Sequence, residues 1–107
     1  MAKNLDFVLL LDCYGELLTQ RQKEIAELYY NEDFSLSEIA QMQNISRQAV
    51  SDSLKHSEQM LMQTEQKLGM AGRIRHMRTC LEQILASCQA ENIAKITELA
   101  ETGLQLL

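Results

Sequence analysis

Between Ser35 and Leu54 the chain carries the signals for two short helices and a tight turn, and this stretch constrains the fold more than any other. Ser35 is a good N-cap for a helix whose inner face is Leu36, Ile39 and Ala40. The small side chain of Ala40 lets a neighbouring helix axis come close. Asn44 stands where that helix must stop, and an Asn takes the left-handed conformation that ends a helix, though less easily than Gly. Ser46 is suited to cap a second helix whose first inward residue is Val50. Two short helices that cross steeply form a helix-turn-helix, the geometry that presents a helix to the major groove of DNA.

The rest of the chain reads as helix too. Pro is absent, Gly numbers 4 and aromatics make up 5% of 107 residues, proportions that disfavour sandwiches and barrels. A hydrophobic content of 46% is enough for a core and argues against disorder. The spacing predicts a first helix over Leu5 to Leu18, with Leu5, Val8, Leu9 and Asp12 in phase and Leu10, Leu11, Tyr14 and Leu17 widening the stripe; Gly15 marks its turn. Thr19 followed by Gln22 reads as a capping box opening a second helix to about Tyr30, with Ile25, Leu28 and Tyr29 inward. Asn31, Glu32 and Asp33 form a polar break. The helix beginning at Ser46 does not stop after three turns, because Val50, Leu54, Leu61 and Leu68 continue its stripe to a stop at Gly69. The expected core is Leu9, Leu17, Ile25, Leu28, Ile39, Ala40, Ile45, Val50 and Leu54.

Gly69 to Gly72 reads as a hinge, after which the pattern tightens. Ile74, Met77, Leu81, Ile84 and Cys88 recur three and four apart, as a coiled-coil seam does. The phase slips near Gln89 to Asn92 and resumes at Ile93, Ile96, Ala100 and Leu104. This predicts an antiparallel helical hairpin. The expected architecture is therefore all-α: a helix-turn-helix domain over 1–69 with a long recognition helix, and a C-terminal helical hairpin over 70–107. Each seam spans about two heptads, too few for a free coiled coil. The seams are expected to pack on each other, on the long helix or on a second copy, with Ile74, Met77, Leu81, Ile84 and Leu85 pairing two copies or docking a partner.

Chemistry finds little support. Cys13, Cys80 and Cys88 are odd in number and form no Cys-x-x-Cys, so plain buried or half-buried thiols are expected rather than a disulfide framework or a zinc site. His56 and His76 lack a second ligand at helical spacing. No Gly-rich phosphate loop and no nucleophile–base set is recognisable, so neither an enzyme, a cofactor nor a metal is expected. No apolar run approaches the roughly 18 residues of a membrane span, and the start leads into acids rather than a long apolar segment, so a soluble, cytoplasmic protein is expected.

The candidate nucleic-acid contacts are Ser46, Arg47, Gln48, Ser51 and Lys55, on the exposed start of the recognition helix. Arg47 can pair with guanine or a phosphate and Gln48 with adenine; Ser46 and its neighbouring amides can hold a phosphate. An ordinary polar helix face is the plain alternative. Charge opposes the first reading. The net charge is −5, and all of it lies in residues 1–68, where six Lys and Arg meet eleven Asp and Glu. Proteins that hold DNA by electrostatics usually present a basic surface. The tail is neutral, with its cations gathered at Arg73, Arg75, His76 and Arg78, a contact for phosphate or an acidic partner or simply a solvated basic turn.

From Asp12 to Leu68 the sequence resembles the YlxM family, small bacterial proteins related to region 4 of sigma factors. The resemblance is carried by Tyr14 through Gln22, Leu28 through Asp33, Ser35 through Ala40 and Ile45 through Asp52. It departs from sigma-type motifs at Asn44, where Gly is frequent, and at Ser53, where an apolar residue is frequent, which moves the core register to Leu54. The resemblance implies a sigma-like helix-turn-helix without a wing and a DNA-binding or regulatory role. Because genes of the family neighbour those of the signal recognition particle, it also implies an association with that pathway. The expected function is a DNA-binding regulator that acts as a homodimer and holds DNA weakly; the alternative is a protein-interaction module that kept the fold and lost most DNA affinity.

Overall fold

A computed structural model describes residues 6–89 and 92–107. Among them are six α-helices and no strand: α1 (Asp6–Tyr14), α2 (Gln20–Tyr30), α3 (Leu36–Gln43), α4 (Arg47–Leu68), α5 (Met70–Gln89) and α6 (Ile93–Gln105). The expected start of the first helix at Leu5 and part of the break between Gln89 and Asn92 lie outside the described residues. The chain divides into two compact units, Met1–Leu68 and Gly69–Leu107.

In the first unit α4 is the common partner, packing against α1, α2 and α3. Its buried face is Val50, Leu54, Ser57 and Leu61, at spacings of four, three and four. Ile25 and Ala26 of α2 and Ile39 of α3 close on the same core, each at most 1% exposed. Ser57 is buried as deeply, and its Oγ has no hydrogen-bond partner among the described residues.

The first helix differs from its sequence reading. It buries Leu10, Leu11 and Tyr14 from the widened side of the expected stripe, together with Phe7, while Val8 and Leu9 at the expected centre are only half-buried and Asp12 is exposed. The α-helix then gives way to a 3₁₀ turn over Gly15–Leu17, closed by the Leu18 amide on the Gly15 carbonyl at 3.1 Å. The tighter winding turns Leu17 outward, 59% exposed, and carries Leu18 into the core in its place. Gly15 belongs at this bend, since a Cβ there would approach Leu11 Cδ1 to 3.3 Å. Leu28 and Ile45 are also half-buried rather than core residues, Leu28 on the flank of α2 and Ile45 in the turn before α4.

Local signals set the helix starts and stops. Thr19 and Gln22 form both legs of a capping box at α2, and Ser35 and Glu38 form both legs at α3. Asp33 takes a positive φ of 61° in the polar break after α2. Gly69, at φ +63°, ends α4 in the left-handed conformation, and its carbonyl accepts from Arg73 N at 3.1 Å as α5 begins. The break is thus one residue long, and Gly72 lies inside α5 rather than in a hinge.

In the second unit α5 and α6 form the expected hairpin, with Asn92 Oδ1 accepting from Lys95 N at 3.0 Å to cap α6. The seam, however, is not the expected one. The buried residues of the two helices are Ala71, Cys80, Leu99 and Gly103, and the Cys80 thiol donates to the Leu99 carbonyl. Met77 and Ile84 are half-buried beside it, whereas Ile74, Leu81, Cys88, Ile93, Ala100 and Leu104 are exposed. Small groups let the helices approach, so Cys80 against Gly103 defines the contact and the larger side chains are left at its edges. All three thiols are free; Cys80 is buried, Cys13 half-buried and Cys88, contrary to expectation, exposed.

Candidate nucleic-acid interface

The geometry of the site begins with Asn44. Its φ and ψ of 56° and 45° place it in the left-handed region. This bends the chain so that Ile45 N reaches the Ala40 carbonyl at 3.0 Å and Asn44 N the Gln41 carbonyl at 3.4 Å, the two bonds of a Schellman motif. The position that favours Gly is thus filled by the non-Gly residue best able to occupy it. One residue further, Ser46 Oγ accepts from Ala49 N at 3.0 Å and caps α4. Asn44 and Ser46 together fix where α4 starts, and Val50 and Leu54, fully buried, fix which face it turns inward.

The opposite face carries the five sequence candidates. Ser46, Arg47, Gln48 and Lys55 are exposed and Ser51 is half-buried. Arg47, Ser51 and Lys55 are four residues apart and form one row about 12 Å long. Gln48 and Asp52 form the adjacent row, and their side chains bond, Gln48 Nε2 donating to Asp52 Oδ1 at 2.9 Å. Leu36, at the start of α3, joins Arg47, Gln48 and Ser51 around a shallow depression. Among the described residues neither Arg47 nor Lys55 has an ion-pair partner. The face therefore offers two cations, an amide and two hydroxyls, with one carboxylate among them.

The far half of α4 has a different task. Tyr14 of α1 donates to Glu65 Oε1 at 2.6 Å, and Tyr30 of α2 donates to Glu58. Tyr30 also packs edge-on against Tyr29, with ring centroids 5.0 Å apart, and tilted against Phe7 at 5.8 Å. Burial first, and then its bond to the Glu58 carboxylate, holds the Tyr30 phenol well above its ordinary 10.0. The Cys13 thiol is also raised, by burial and then by Glu65 and Asp12. These clamps place Glu58 about 16 Å and Glu65 about 27 Å along the axis from Arg47, farther than a Debye length of about 10 Å at moderate salt. Glu58 and Glu65 are thus held by tyrosines away from the exposed row, whereas Asp52 stands within it.

Residues 1–101 match the family described as "Putative helix-turn-helix protein, YlxM / p13 like", UPF0122. The chain belongs to this family. A UPF0122 protein of Acetivibrio thermocellus is 42% identical over 97 residues, covering 91% of this chain and 83% of the relative. Another, from Desulforamulus reducens, is 48% identical over 77 residues, 72% of this chain and 66% of that protein. A third, from Caldanaerobacter subterraneus, is 47% identical over 76 residues, 71% of this chain and 65% of that protein. Membership agrees with the all-α helix-turn-helix seen here. No helix among the described residues is long and apolar enough to cross a membrane, and no group of three or more His, Cys, Asp or Glu is placed to hold a metal ion.

The second set of sequence candidates falls on α5. Arg73, Arg75 and Arg78 are all exposed but do not make one patch, since spacings of two, three and five residues on a helix spread them around its circumference. Arg73 and Arg78 stand at the sides of an apolar groove of about 440 Å³ lined also by Met70, Ile74, Met77, Leu81, Leu106 and Leu107. Ile74, Leu81 and Leu85 are 39%, 53% and 65% exposed, while Met77 and Ile84 turn partly toward α6. Sequence reasoning missed the Glu38 half of the capping box, for which Ser-x-x-Glu was the signal. It also missed the bond from Gln48 to Asp52, for which a four-residue spacing was the signal, and the two tyrosine clamps, which had no local signal.

Proposed function

We propose that this chain is a DNA-binding regulatory protein that reads duplex DNA with the start of α4. The observation that carries this reading is the exposed row of Arg47, Ser51 and Lys55 beside Gln48, on a helix whose start and rotation are fixed by Asn44, Ser46, Val50 and Leu54. In this role Ser46 and the first amides of α4 hold a phosphate, Lys55 holds another, and Arg47 and Gln48 reach base edges. Gln48 must first release Asp52, because reading adenine uses both atoms of its amide. One acidic unit neutralises few phosphates, so two copies act together and each binds weakly. Membership of the signal recognition particle pathway is part of the proposal on the family resemblance alone.

Titration of labelled duplex DNA with the full chain tests this at the lowest salt the protein tolerates. Binding is expected, with a shallow salt dependence corresponding to about two to four phosphates per copy, about −0.9 in log–log slope for each. Failure to bind at low salt, where electrostatic attraction is strongest, would defeat the reading. A second reading then takes its place: an interaction module of the same pathway with little or no DNA binding. The excess of acids in residues 1–68, with Asp52 inside the exposed row, favours that alternative.

A further inference from the structure

The outer face of α5 remains open after the hairpin has formed. Met70, Ile74, Leu81 and Leu85 are 42%, 39%, 53% and 65% exposed, and at 3.6 residues per turn they fall within about 60° of one another. They form a stripe distinct from the inner contact made by Cys80 with Leu99 and Gly103. Contiguous exposed apolar side chains with polar neighbours mark interaction sites.

The spacing along this stripe is four, seven and four, which reads the same in both directions about a point between Met77 and Arg78. An antiparallel copy centred there sets Ile74 opposite the partner's Leu81 and Met70 opposite the partner's Leu85. The latter side chain enters the groove between Met70, Ile74, Leu106 and Leu107. Charge follows the same symmetry. Arg75 and Glu82, seven residues apart and about 20° apart in helical phase, share one flank of the stripe. Two-fold pairing brings like flanks together, so Glu82 of one copy lies beside Arg75 and Arg78 of the other. The two Arg78 side chains approach near the axis, where the two Glu82 carboxylates balance them.

We propose that two copies of this chain associate through this stripe, with the α5 helices antiparallel about a two-fold axis near Met77 and Arg78. The inference supplies the interface for the two-copy reading above and rests on it. Two helices of this length alone would not hold together, but two hairpins make a four-helix assembly with α6 as its outer support. The interface is isologous, and the apolar stripe becomes its centre.

Sedimentation equilibrium on the full chain tests this, with circular dichroism to confirm that each variant folds. The wild type is expected to be a dimer and Leu81→Glu a folded monomer. Arg75→Glu alone and Glu82→Arg alone are each expected to weaken association about five-fold, because each disturbs two symmetry-related pairs. The chain carrying both is expected to recover most of the loss. A wild type that stays monomeric at high micromolar concentration overturns the proposal and leaves the stripe for a different protein. A dimer that survives Leu81→Glu overturns the choice of face, and two charge variants whose losses simply add overturn the antiparallel register. DNA titration of the same proteins separates the two claims. A dimer without DNA binding upholds the interface and defeats the DNA reading, whereas a monomer that binds DNA does the reverse.

Discussion

The two units are built from the same kind of helix but hold together differently. In residues 1–68 one long helix is wedged among three others, and its contact face, Val50, Leu54, Ser57 and Leu61, has exposures near zero. In residues 69–107 two helices touch along a narrow line set by a thiol and a glycine, and most large side chains remain open. The first arrangement has its core within the chain. The second has an inner contact and an outer apolar face. A hairpin with such a face can support assembly, whereas the first unit leaves a polar face exposed.

The largest test of this contrast lies at the centre of the first unit. Val50→Asp places an unpaired charge between α3 and α4 and is expected to cost about 3–5 kcal/mol. Leu104→Ser, on the open side of α6 at 70% exposure, is expected to stay within about 0.5 kcal/mol. Equal losses in thermal melts would erase the difference between the units.

The hairpin can be probed at its own contact. A Cβ at Gly103 would lie 3.6 Å from both Cys80 Sγ and Met77 Sδ, an ordinary contact. Gly103→Ala is therefore expected to stabilise by about 0.5–1 kcal/mol through reduced chain entropy. Gly103→Leu overfills the same place and is expected to cost about 1–3 kcal/mol. Denaturant melts that rank the two in the opposite order would show that the helices do not meet there.

Ser57 sharpens the description of the first core. Its buried hydroxyl carries a desolvation cost with no bond to offset it, so Ser57→Ala is expected to raise stability by about 1 kcal/mol. A loss of that size would reveal a bond to the hydroxyl.

The smallest effect concerns the clamp between α2 and α4. Because the Tyr30 phenol is raised above 10.0 in the folded chain, its neutral form favours folding. That contribution is present in full below pH 10 and is lost as pH climbs above it. Tyr30→Phe should flatten this alkaline loss in melts recorded from pH 9 upward, while an unchanged slope would remove Tyr30 as its source.

Sequence legibility followed the range of the interaction. Thr19 with Gln22, Asn44, Ser46 and Gly69 act within a few residues of themselves, and the structure shows each at its expected task. The inner face of α4 was legible as well, because Val50, Leu54 and Leu61 repeat over several turns, but Leu68, expected on the same stripe at the last residue of the helix, is 51% exposed. Leu17 was not: a 3₁₀ turn of three residues reverses which of Leu17 and Leu18 points inward, and apolar spacing alone does not record winding. The hairpin contact was hidden for a different reason. Periodicity weights large side chains, while Cys80 and Gly103 come together because they are small. At the candidate interface the positions of Arg47, Gln48 and Lys55 followed from the register of Val50. The involvement of Gln48 with Asp52, and the tyrosine clamps that occupy Glu58 and Glu65, depend on side chains meeting in three dimensions.

The central claim is that the start of α4 touches DNA, and its most direct test sets two substitutions of opposite sign on that face against each other. Duplex DNA affinity is measured at one fixed low salt for the wild type, Arg47→Ala and Asp52→Asn, all confirmed to melt alike. Arg47→Ala is expected to lose about 1–3 kcal/mol if Arg47 pairs with a base. Asp52→Asn is expected to bind several-fold more tightly, since it removes a carboxylate from the row beside the phosphates. Affinities unchanged by both substitutions would contradict the claim and place any DNA contact elsewhere on the chain.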